Sequence, residues 1–69
     1  MSKTYKVVDA FYVKESTVLV LDRKIDILDL KRSFLEDNGK KIPFSLTHND
    51  FWVVVNGMHD LKNHSVAFC

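Results

Sequence analysis

The sequence predicts an all-β fold, a small closed or partly open six-stranded barrel, and three observations carry that prediction. Apolar runs of four to nine residues recur along the chain at the spacing of short strands. Polar turn residues separate those runs, with no linker, repeat or low-complexity stretch between them. Both glycines sit in Asn-Gly dipeptides, Asn38-Gly39 and Asn56-Gly57, each placed where an apolar run stops and the backbone needs positive φ. With 69 residues the chain forms one domain, residues 1–69, around one core.

Residues 5–13 form the first expected strand. Simple alternation puts Tyr5, Val7, Asp9, Phe11 and Val13 on one face and Lys6, Val8, Ala10 and Tyr12 on the other. Both faces are partly apolar, which suits a closed or doubly covered sheet. Lys14-Glu15-Ser16 reads as a polar turn into a β-branched run over residues 17–21, so the two runs form a hairpin. Residues 25–36 read as β, with a helix over about 26–37 as the alternative, because Ile27, Leu28, Leu30, Phe34 and Leu35 also fit a helical stripe. In the β reading Asn38-Gly39 turns the chain into a strand where Ile42, Phe44 and Leu46 alternate with polar or small residues. Pro43 within it lacks an N–H and calls for an edge or a bulge. Residues 51–55, Phe-Trp-Val-Val-Val, are the clearest strand, and residues 65–68 close the fold.

This order resembles the second, β-barrel domain of translational GTPases. The likeness lies in Val8-Asp9-Ala10-Phe11-Tyr12-Val13, in Leu19-Val20-Leu21 followed by Ile25, in Asp29, and in Asp37-Asn38-Gly39. It continues through Val53-Val54-Val55-Asn56-Gly57-Met58, Asp60-Leu61-Lys62 and Val66-Ala67. Consensus glycines of that family are replaced by Arg23, Leu28 and His64. The resemblance implies contact with RNA or with neighbouring domains, since in those factors a separate domain hydrolyses GTP. This chain has no Walker-type glycine loop, which excludes GTPase activity.

Composition narrows the function classes. Ten Lys plus Arg against nine Asp plus Glu leave a net charge of +1, so no global field draws the chain to nucleic acid or to an anionic membrane. One cysteine, Cys69, rules out an intramolecular disulfide, and with no apolar stretch suited to a signal peptide or a spanning helix the expected setting is cytoplasmic. His59, His64 and Cys69 are spaced by five, unlike the close ligand pairs of zinc sites, and with His48 they read as loop residues, so neither metal nor cofactor is expected. His59-Asp60 lacks a nucleophile placed to complete a triad. Asp22, Asp26 and Asp29, like Glu36 and Asp37, interleave with basic residues as a solvated charged surface. The chain therefore reads as a non-enzymatic binding module.

Its expected contact aromatics are Tyr12 and Trp52, which suit a protein partner or a homodimer. The alternative is a single-strand-binding barrel associated with RNA or the ribosome. Arg23, Lys24, Lys31, Arg32, Lys40 and Lys41 would then contact phosphates while aromatics stack on bases.

Overall fold

The computed structural model describes residues 4–69. Six strands are present: β1 (Thr4–Val13), β2 (Ser16–Leu21), β3 (Phe34–Asp37), β4 (Lys40–Leu46), β5 (Trp52–Asn56) and β6 (Ser65–Phe68). They close into an antiparallel barrel in the order β1-β2-β5-β4-β3-β6, with β6 returning to β1. Closure gives every strand a neighbour on each side.

Strand β1 serves two neighbours in succession. Thr4, Tyr5 and Lys6 pair with β6, whereas Val7 and residues 9–13 pair with β2. The register shifts between Val7 and Asp9, so Val8 is the extra residue of a β-bulge. A bulge bends its strand and increases the local twist, which lets one strand turn the corner between two partners. It also resets the alternation expected from the sequence. Before Val8 the buried residues are Tyr5 and Val7; after it Ala10, opposite the fully buried Leu19, packs against the core, and Asp9 and Phe11 turn outward.

The turn chemistry follows the sequence. Asp37 pairs with Lys40, and Asn38 and Gly39 between them have φ of 54° and 85°, both positive as a type I′ hairpin turn requires. Gly57, at φ 84°, opens a loop instead. Its N–H donates to the Glu15 carbonyl at 2.7 Å, and its carbonyl accepts the Thr17 hydroxyl at 2.7 Å. Thr17 is fully buried, and its Oγ1 also accepts the His59 N–H at 3.0 Å, so one hydroxyl ties the β5–β6 loop to the barrel.

Pro43 faces a local edge, as its missing N–H requires. It stands opposite Phe34 on β3, while pairing of β4 with β5 begins only at Phe44. Counting from the turn-closing pair Asp37 and Lys40, Pro43 falls at a non-hydrogen-bonded position towards β3. Its missing N–H points to the side where β5 has already left the ladder.

Between β2 and β3 both sequence readings are corrected. The strand expected over 25–36 exists only from Phe34, and the alternative helix over about 26–37 reduces to a single 3₁₀ turn, Asp29–Lys31. The Asp26 side chain accepts the Leu28 N–H at 3.0 Å and its carbonyl accepts the Asp29 N–H at 2.9 Å, a local turn that competes with a helix. Tyr5 then fastens this crossover to the barrel. Its hydroxyl donates to Asp29 Oδ2 at 2.7 Å and accepts the Asp26 N–H at 2.9 Å.

The core runs between loops at opposite ends of the barrel. Ile25 enters it from the crossover and Leu61 from the β5–β6 loop, and both are buried. Phe68 meets the rings of Tyr5 and Phe44 edge-on, at centroid distances of 5.3 and 5.0 Å.

Candidate interaction surface

Residues directly opposite one another in a ladder share a face of the sheet. Because Leu19 lies opposite Ala10 and Val53 and all three face the core, the alternate rows on β1, β2 and β5 face outward. One outward row is Asp9, Val20 and Trp52; the next is Phe11, Val18 and Val54; the third is Val13, Ser16 and Asn56. Phe11 is 37% exposed and meets Trp52 edge-on at 5.4 Å, and Val13 is 47% exposed. Val20, Trp52 and Val54 are half-buried, and Val18 in the middle of the patch is covered by its neighbours to 7%. Asp9 is the single charged residue among these nine outward positions. An apolar, aromatic-bearing surface that contiguous is what a protein interface requires, because its exposure to water is unfavourable until something covers it.

The two expected contact aromatics separate. Trp52 belongs to this outward face. Tyr12, opposite the buried Thr17, lies in an inward row beyond the stretch of β1 that pairs with β6, and is 48% exposed. Sequence reading missed Phe11 as an outward residue. Nothing local marks Val8 as the bulge, so plain alternation assigns Phe11 to the face of Tyr5 and Val7.

The six basic residues divide between the two ends of the barrel. Arg23, Lys24, Lys31 and Arg32 belong to the crossover, next to the start of β5, whereas Lys40 and Lys41 follow the β3–β4 turn at the other end. Arg23 is already engaged, with its guanidinium 4.5 Å from the centroid of the Tyr5 ring and donating to the Thr4 carbonyl. Lys24 pairs with Asp50 at 3.6 Å, and both side chains are largely exposed. A cleft of about 410 Å³ lies at this end, lined by Lys24, Ile25, Asp26, Ile27, Leu30 and Asp50. Its charges are of both signs, so it carries no uniform positive field for a phosphate chain.

The histidines and the thiol do not assemble. His59 Nε2 lies 2.8 Å from the Asn56 carbonyl, His64 Nδ1 is 3.2 Å from Asp37 Oδ1, and Cys69 pairs through its backbone with Phe34. Among the described residues no three His, Cys, Asp or Glu side chains cluster as metal ligands. No helix among them is long and apolar enough to cross a membrane.

No protein-family model, curated protein or solved structure matches this chain.

Proposed function

We propose that the barrel is a non-catalytic binding module that engages a protein partner through the outward face of β1, β2 and β5. The observation that carries this reading is the composition of that face: Phe11, Val18, Val20, Trp52 and Val54 adjoin, and no Lys or Arg stands among the nine outward positions. Aromatics ringed by cations would favour stacking on single-stranded RNA; aromatics set among valines favour a protein. Trp52 and Phe11, already packed on each other, are the anchors, since large half-buried rings lose little freedom on binding.

The resemblance to the second barrel of translational GTPases supports the RNA or ribosome reading instead, and four basic residues at the crossover end are its best observation. Site-specific photo-crosslinking separates the two. A benzophenone side chain placed at position 11, and separately at position 31, is irradiated in cells that produce the protein. Nuclease-resistant protein adducts from position 11, with none from position 31, are the expected result. Nuclease-sensitive adducts from position 31 and nothing from position 11 would overturn it in favour of RNA.

A further inference from the structure

Strand β1 outruns β6. Ladder pairing between them ends at Lys6, and on that side Val7 still accepts the Asn63 N–H and donates to the His64 carbonyl. Beyond the bulge β1 continues to Val13 with β2 on one side and no strand on the other. The Leu21 N–H donates to the Phe51 carbonyl and the Asp22 N–H to the Lys6 carbonyl, so odd-numbered positions along β2 face β5 and even-numbered ones face β1. Ser16, Val18 and Val20 therefore bond Val13, Phe11 and Asp9, and the N–H and C=O of Ala10 and Tyr12 point away from β2. Among the described residues no backbone group pairs with them there, and the Ala10 N–H donates to its own neighbour, Asp9 Oδ1, at 2.9 Å. Strand β4 also lacks a neighbour, on its β5 side over residues 40–43, but that stretch carries Lys40, Lys41 and Pro43, residue types that blunt an edge. Residues 10–13 of β1 are Ala-Phe-Tyr-Val and carry neither Lys nor Pro.

We infer that this edge takes up an extended segment of a partner protein as an added antiparallel strand along residues 9–13 of β1. The inference rests on the reading of the outward face as a protein-binding surface and names how the partner engages it. Ala10 and Tyr12 present donor and acceptor pairs about 7 Å apart, the repeat of alternate residues in an extended polypeptide. Two incoming residues bond them, one opposite Ala10 and one opposite Tyr12. The incoming residue between those two stands opposite Phe11 and turns to the same side, so an apolar side chain there lengthens the outward row Phe11, Val18 and Val54. The residue opposite Val13 is apolar for the same reason. The incoming carbonyl opposite Ala10 displaces the Asp9 carboxylate from the Ala10 N–H. Asp9 is exposed and takes part in no ion pair among the described residues, so a Lys or Arg opposite it supplies the complementary charge. Read from its N-terminus, the segment is apolar, any residue, apolar, any residue, basic.

The test is a titration of the isotope-labelled chain with the blocked pentapeptide Val-Thr-Val-Thr-Lys, followed by amide NMR and hydrogen exchange. The Ala10 and Tyr12 amides are expected to shift and to gain protection. N-methylation of the peptide's second or fourth residue, whose N–H groups face β1, should abolish binding, whereas N-methylation of the third, whose N–H points away, should leave it within about threefold. Tyr12→Pro removes the edge donor at a position that makes no ladder bond to β2, and should bind the peptide about tenfold more weakly than Tyr12→Ala, which keeps the N–H. Circular dichroism confirms that both variants fold. No shift at Ala10 or Tyr12 with millimolar peptide would overturn the added strand, as would equal losses from all three methylations. Protein adducts from position 11 that persist unchanged in the Tyr12→Pro chain would also overturn it while leaving a protein on the outward face. Absence of protein adducts from position 11 in the wild type would remove that face, and the added strand with it.

Discussion

Truncating Phe11 to alanine distinguishes the bulged barrel from a regular one. Were β1 regular, Phe11 would point into the core with Tyr5 and Val7, and its loss would cost about 3–5 kcal/mol, as large-to-small changes in cores do. In the bulged strand it lies outward, 37% exposed and covered chiefly on the side of Trp52. The fraction already in water contributes nothing to stability, and removing the ring opens a surface depression that water fills instead of an enclosed cavity. The expected cost is therefore about 1 kcal/mol, equivalent to a fall in Tm of roughly 4–8 °C for a domain of this size. Leu19→Ala supplies the internal standard, because Leu19 is fully buried at the middle of β2 and should cost about 2–5 kcal/mol. Both are measured by urea unfolding at equilibrium, with the midpoint and slope fitted together. A Phe11→Ala cost equal to that of Leu19→Ala would refute the bulge at Val8, and with it the outward face.

Tyr5→Phe keeps the ring contact with Phe68 but leaves the Asp26 N–H and the Asp29 carboxylate without the hydroxyl; a loss of about 2 kcal/mol is expected, and hydrogen exchange should quicken in residues 26–32. Thr17→Val preserves shape while leaving the Gly57 carbonyl and the His59 N–H unpaired, for an expected cost of about 2–3 kcal/mol by thermal unfolding; a neutral result would show that water replaces the hydroxyl. Gly39→Ala and Gly57→Ala should destabilise by similar amounts, about 1–2 kcal/mol each, because both positions have φ near 85°, a strain for any L side chain, while a Cβ at 57 makes only ordinary contact with the His59 ring and one at 39 meets open space. Unchanged melting temperatures in both variants would remove the positive φ from the account.

Much of the barrel is legible in the chain because its signals are local. Asn38-Gly39 specifies a hairpin turn through the conformational freedom of its own two residues, and the β-branched runs in β2 and β5 specify strands by their period. The crossover was misread because its outcome depends on contacts made elsewhere. Ile27 and Leu28, part of the apparent helical stripe, end up 72% and 67% exposed, while the Asp26 turn and the Tyr5 hydroxyl, 21 and 24 residues away in sequence from its two partners, hold the segment in a non-helical path.

By itself, then, the sequence determined the fold class, the β3–β4 hairpin and the near-neutral charge, all properties that a residue carries with it or shares with neighbours a few positions away. Only the tertiary structure decided which aromatics face outward together. The extra residue at Val8 exists because β1 must leave β6 and bend onto β2 for the barrel to close, and that demand is written in no single residue. One added residue inverts the face of everything beyond it, since side chains alternate with period two. It turns Phe11 out to Trp52, puts Asp9 on the same outward face, and sets Tyr12 in an inward row.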